Sequence, residues 1–308
     1  MVTDAKKSVK ISKGKSGEIQ SAGDKIMQAV CVVLLLVLCV IFIFPFLNVL
    51  FKSISGEAAV LAGEVKYWPK DVQLGAYKYV LKQAAYFTSL KNTLTVVAIG
   101  TALALLTNGM TAYAIGKKRF RERNLLIACY IFTMIFSGGL IPGYLLVRSL
   151  GLYDSLWALI LPAIISPYYL LILKSFMAGI PDSLEESAKI DGAGHFTIFF
   201  RIVLPIAKPA MASICLFFAV DLWNDFFRPM IFLTSTEKYT LQLYLRNLLI
   251  GASDLMGQNF IDPTIYGNVA AQSIQNATII VSIVPILILY PFLQKYFVTG
   301  ITLGSVKG

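Results

Sequence analysis

From Ile26 to Phe51 the chain reads IMQAVCVVLLLVLCVIFIFPFLNVLF, without one charged side chain. The apolar core of a bilayer takes about 20 residues of helix, so a run of this length suits a membrane crossing. Comparable stretches recur, and transmembrane spans are expected at about 26–51, 90–116, 124–148, 155–178, 208–233 and 270–294. The fifth is as apolar as the others at its start but carries Asp221, Asn224, Asp225 and Arg228 towards its end. With 57% hydrophobic and only 14% charged residues, too little polar surface remains to cover a soluble core of 308 residues. The first run is too long, and too well followed by others, to be a cleaved signal peptide. The expected class is an all-α membrane protein with six transmembrane helices.

Orientation follows from Lys and Arg in short loops and flanks. Lys6, Lys7, Lys10, Lys13, Lys15 and Lys25 precede the first span, and the KKRFRER stretch, with Lys117, Lys118, Arg119, Arg121 and Arg123, joins the second to the third. Six spans with the amino terminus inside put both clusters in the cytoplasm, together with the carboxyl terminus. The net charge of +10 thus reads as topology, and a lipid bilayer rather than a nucleic acid is the expected partner. Residues 1–25, rich in Lys, Ser and Gly, are expected to form a disordered basic tail. Segments 52–88 and 235–270 fall outside. Within the latter, Leu241, Leu243 and Leu245 alternate as in a strand, whereas Leu245, Leu248 and Leu249 suit a helix, and both remain open. Cys31, Cys39, Cys129 and Cys215 all lie in apolar runs, where they serve as small hydrophobes.

The same topology leaves a polar segment at 180–207 in the cytoplasm. Pro181 is placed for a helix start, Ser183 and Glu186 have capping-box spacing, and Asp182 and Glu185 favour the amino-terminal end. Gly192 is placed to stop this helix. A second helix is expected through Phe196, Phe199, Phe200 and Val203, whose i, i+3, i+4, i+7 spacing puts them on one face before Pro205. Ser187, Ala188, Ala193 and Gly194 are small enough for a tight bend. Such a face suits either the lipid interface, or the ends of the protein's own helices, or a partner's socket.

The order Glu186, Ser187, Ala188, then Gly192, then Ile202, Leu204 and Pro205 resembles the EAA loop of the membrane subunits of bacterial ABC importers, with Ser187 in place of the usual first alanine. AKIDGAG, the WND of the fifth span and the ending QKYFVTGITLGSVKG resemble more narrowly the maltose-type carbohydrate permeases. The resemblance implies a type I ABC importer permease fold in the bacterial cytoplasmic membrane. It also implies a second homologous permease in a heterodimer, two ATPases docking at the EAA loop, and an extracytoplasmic solute-binding protein. On this footing Glu186, Ser187, Ala188, Asp191, Gly192, Ala193, Phe196, Phe199, Phe200, Leu204 and Pro205 form the coupling element, and residues 300–308 reach towards the ATPases rather than ending as a frayed terminus. The chain has no phosphate-binding glycine loop, so ATP and Mg belong to the partner ATPase and no cofactor is expected here. His195, the single histidine, has no nucleophile or metal partner at suitable spacing, so no catalytic residue is assigned.

A sugar path needs carboxylates, amides and aromatic faces. Asp221, Asn224 and Asp225 share a helical face at i, i+3, i+4, with Trp223 beside them. They line a path on one reading; on the other they sit at the water interface with Trp223 as a belt aromatic. Tyr144 and Asn108 are further path candidates, with Asn92 and Tyr168. Gly138, Gly139, Pro142, Pro162 and Pro167 are expected to kink the third and fourth spans. An importer permease for a non-sugar solute, or a self-sufficient channel or secondary carrier, is the alternative function.

Overall fold

The computed structural model describes residues 22–253 and 272–288, and every regular element among them is helical. The expected basic tail up to residue 21, the end of the second outer segment, the end of the sixth span and the tail 300–308 lie outside the described residues. The chain divides into two units, 1–48 and 49–308.

Helix α1, Ala22–Ser53, forms the described part of the first unit and continues into the second. Its side chains are exposed on every side from Lys25 to Leu47. A helix apolar all round is built for lipid, since no polar face exists to meet water.

In the second unit, the short helices α2 (Glu57–Leu61) and α3 (Gly75–Val80) precede the 33-residue α4 (Ala84–Gly116). After α5 (Arg123–Ile135) and α6 (Leu140–Ser149) come α7 (Trp157–Ile160), a 3-10 turn at Leu161–Ala163, and α8 (Pro167–Met177). The polar segment forms α9 (Asp182–Ile190) and α10 (His195–Ile198), a π-turn at Phe199–Val203, and α11 (Leu204–Ile206). Helices α12 (Lys208–Asn224), α13 (Phe227–Phe232), α14 (Leu241–Ser253) and α15 (Gln272–Ile288) complete the described chain.

Helix α4 is central because its sequence makes it narrow. Gly100, Ala104, Asn108 and Ala112 recur every four residues and fall on one buried stripe. A Cβ on Gly100 would lie 2.7 Å from Leu222 Cδ1, and one on Gly109 3.1 Å from Met211 Cε. Against this stripe Leu173 and Met177 of α8, Ile214 and Phe218 of α12, and Ile198, Phe199 and Val203 make one apolar core. A second core gathers Val96, Val147, Leu159, Leu222 and Phe232; a third, at the Tyr86 end, holds Val80, Trp223, Leu241 and Ile274.

Among the described residues, α1 and α4 alone are straight helices long and apolar enough to cross a bilayer, and joining each bent pair gives up to five spans. The expected third span is broken at its glycines, as their placement suggested. α5 and α6 meet at 115°, because the chain unwinds through Ser137–Gly139 and Gly139 takes φ +87, a conformation costly for any residue with a Cβ. The fourth bends by 44° between its two halves, at the proline-flanked break. The fifth ends its regular helix at Asn224, short of the expected 233, and α13 follows after a two-residue break. Between strand and helix for 241–249 the structure decides for helix α14, with Leu241 and Leu248 buried on its inner face.

Candidate functional site

Helix α9 begins at Asp182 with Pro181 in the capping position, and no side chain caps it. The expected capping box therefore does not form. Ser183 lies within the first turn, where Ser187 Oγ donates to its carbonyl at 3.0 Å, and Glu186 turns away to accept from Arg119 Nη2 at 3.1 Å. Asp182 and Glu185 do occupy the first turn, where acidic side chains favour the helix dipole.

The other end follows the sequence closely. Gly192 has φ +80; its N–H donates to Lys189 O at 3.0 Å, and Ala193 N–H donates to Ala188 O at 2.9 Å. This double bond across a left-handed residue is the Schellman stop, and it satisfies carbonyls that the helix end would orphan. No atom lies within 4 Å of a Cβ built on Gly192, so a side chain there is penalised by backbone conformation rather than by crowding.

The phenylalanines do not share one face, contrary to their spacing. Phe199 is 3% exposed and packs with Ile198 and Val203 in the core, whereas Phe196 is 68% exposed and Phe200 is also open. Phe199 packs inward against the Tyr113 ring, while Phe196 and Phe200 flank it on the outside, and a π-turn at Phe199–Val203 follows α10. It lies immediately before Pro205, which has no N–H to return to the carbonyl of Arg201. The helix containing Leu204 and Pro205 therefore runs on to Ile206, and the chain then turns by 83° into α12.

Glu185, only 4% exposed, is the acid that the segment buries. It pairs with Lys117, just beyond the end of α4, and Tyr113 Oη donates to its Oε2 at 3.3 Å. Lys117 also reaches Asp182 at 3.3 Å and sits 5.5 Å above the Tyr113 ring, which in turn contacts the Phe199 ring at 5.5 Å. Removing Lys117 strands the buried Glu185 carboxylate at a cost of about 3–5 kcal/mol, whereas Lys117 is partly exposed and keeps Asp182 when Glu185 is removed. The Arg119–Glu186 pair is solvent-exposed on both sides and is worth about 0–1 kcal/mol. A cavity of about 720 Å³ lies here, between Tyr113, Lys117, Phe120, Glu185, Lys189 and Phe196. Sequence reasoning gave Glu185 only a dipole role; its three-residue spacing from the half-buried Ala188 was the available sign that it faces inward.

Of the path candidates, Asp221 is exposed and accepts from Tyr169 Oη at 2.6 Å. Asn224 donates back to Val220 O at 3.0 Å. Asp225 binds Arg228 Nε at 2.5 Å, and Arg228 Nη1 also donates to Leu159 O at 3.3 Å. Trp223 is buried in one core with Leu241 and Ile274, whereas Asp221 and Asn224 are exposed. Tyr144 stacks on Phe232 at 6.2 Å. Asn108 has no exposed surface: its amide donates to Ala104 O at 2.6 Å and Ile164 O at 2.7 Å and accepts from Ser166 N–H at 3.3 Å. These bonds satisfy backbone groups freed by the break in the fourth span, and leave nothing of the amide for a passing solute.

At the opposite end of α4, sequence reasoning missed a clamp. Asp154 holds φ +53 and accepts from Lys238 Nζ (2.8 Å), Ser235 Oγ (2.6 Å), Ser235 N–H (3.0 Å) and Thr234 N–H (2.9 Å). The Lys238 ammonium, then Ser235, hold its carboxyl well below the usual carboxylate range. The Asn92 amide donates to Glu237 O at 2.8 Å and Tyr239 O at 3.1 Å, and Thr93 Oγ1 accepts from Leu241 N–H at 2.7 Å.

No family model matches the sequence. The chain is 43% identical over 272 residues to the protein LplC of Bacillus subtilis (strain 168), covering 86% of this chain and 90% of the relative. It is 40% identical over 277 residues to YtcP of the same organism, a polygalacturonan/rhamnogalacturonan transport system permease, covering 89% and 96%. To the B. subtilis arabinooligosaccharides transport system permease AraQ it is 31% identical over 278 residues, covering 89% and 93%. Among solved structures it matches a chain of a bacterial ABC transporter involved in import of the acidic polysaccharide alginate, with a TM-score of 0.83 and 32% identity over 90% of this chain and 98% of that one.

Proposed function

We propose, from the premise that this chain belongs to the permease subunits of sugar-transporting ABC transporters, that it forms half of the translocation path of an ATP-driven, binding-protein-dependent importer of a sugar or oligosaccharide. The path crosses the bacterial cytoplasmic membrane on six spans, with both termini in the cytoplasm, and its other half is a second, homologous permease. Segment 180–207 couples the path to two ATPases, which hold the ATP and Mg, and residues 300–308 extend towards them. An extracytoplasmic binding protein delivers the solute at the Asn92 end of α4.

The observation that carries this reading is the geometry of 182–200. A Schellman-stopped helix turns at Gly192 and leaves Ile190 at 88% exposed, with Phe196 and Phe200 open beside it, while Phe199 anchors the element to the core. Exposed apolar side chains beside a rigidly stopped turn are what a docking groove requires. Along the path, Asp221 with Tyr169 offers a carboxylate and a phenol in the last turn of α12, where an acid within a span is costly unless it meets water or a solute.

The test replaces Gly192 by Val in the assembled, vesicle-reconstituted transporter. A β-branched residue at φ +80 costs about 1–3 kcal/mol at that turn. Uptake is expected to fall at least tenfold with the complex still assembled; full uptake would rule out the coupling role. Phe196→Asp with Phe200→Asp is expected to release the ATPase on purification without unfolding the permease, since both side chains are exposed.

A further inference from the structure

The permease reading leaves open how events at the outer loop reach α9, and α4 is tied to both. We infer that α4 is a rigid lever between them, with Lys117 and Glu185 as the positioning pair at the coupling end and Asn92 and Thr93 at the outer end. The inference rests on the function proposed above.

Four observations carry it. α4 runs for 33 residues without a proline, about 50 Å at 1.5 Å per residue. Asn92 and Thr93 make three hydrogen bonds to the backbone of 237–241, a stretch whose preceding residues are themselves locked to Asp154. At the other end α9 is joined through the buried Glu185 to both Lys117 and Tyr113. Finally, the two acids side by side in α9 are treated oppositely: Glu185 is enclosed, while Glu186 is open with an exposed arginine. A buried ion pair cannot part without stranding a charge, so α9 must follow the end of α4. An exposed pair exchanges freely with water, which leaves Glu186 available to a partner. Fastenings at both ends of a stiff helix turn a displacement of the outer loop into a displacement of the coupling helix.

The experiment uses the complete assembly in vesicles: this permease, its partner permease, the ATPases and the binding protein. ATP hydrolysis is measured with and without solute-loaded binding protein, and the readout is the ratio. Loss of structure alone lowers both rates together and leaves the ratio unmoved. Lys117→Met and Glu185→Gln are each expected to lower it at least fivefold, and the reversed pair K117E/E185K to recover more than half of the loss. Asn92→Ala, about 40 Å along the helix from Lys117, is expected to lower the ratio without touching the coupling segment, and Tyr113→Phe to lower it less. The last two decide the matter should Lys117 variants fail to assemble. An unchanged ratio in Asn92→Ala and Tyr113→Phe, or a reversed pair no better than the single variants in assembled complex, would overturn the lever. A wild-type assembly without ATP-dependent uptake would instead contradict the proposed function itself.

Discussion

Individual polar residues in this chain divide into those that hold backbone and those left available to a partner or solute. Asn108 belongs to the first group. Asn108→Ala leaves the Ser166 N–H without its acceptor, while the Ile164 carbonyl keeps only the Thr107 hydroxyl, and is expected to cost about 1–3 kcal/mol, read as a lowered melting temperature in detergent. Asp221→Asn, at an exposed site that keeps an acceptor for Tyr169, is expected to leave melting nearly unchanged and to alter uptake. Asp154 is also structural. Its folded carboxyl titrates below the ordinary value of about 4, so its stabilising contribution is fully present above that pH and is lost as pH falls through the lower folded value. Asp154→Asn is expected to melt lower than wild type at pH 7, and the difference should shrink progressively below about pH 4. A constant difference across that range would show that the carboxylate charge is immaterial to the clamp.

At the scale of elements, what the sequence displayed depended on whether the cause was local. Gly192 stops α9 because a left-handed residue was needed one position past the helix, and glycine supplies it cheaply. The apolar runs marked α1 and α4 because lipid rewards length and composition alone. The phenylalanine face divided because only Phe199 meets the core formed by α4, α8 and α12, a packing that periodicity cannot show. The capping box failed because the helix begins at Asp182, which places Ser183 inside the first turn instead of at the cap. Gly138 and Gly139 marked the break in span three, but the size of the 115° bend there was not legible in composition. Glu185, Lys117 and Tyr113 belong together only after α4 and α9 are packed, and pairwise spacing along the chain cannot show this. The burial split has a direct consequence: Phe199→Ala is expected to destabilise by about 3–5 kcal/mol, whereas Phe196→Ala stays within about 0.5 kcal/mol and weakens only the association with the ATPase.

For the whole molecule, a narrow central helix tied to segment 237–241 at one end and to α9 at the other suits the proposed ATP-driven importer more than a pore that opens by itself. On the proposed function, energy enters from the ATPases through the exposed apolar side chains around Gly192. The most direct measurement is solute uptake into vesicles containing the purified assembly, with binding protein outside and ATP either enclosed or omitted. Accumulation above the external concentration that requires both ATP and the binding protein is the expected result. Equilibration of the solute across the membrane with neither present would contradict the importer assignment and point to a channel or carrier.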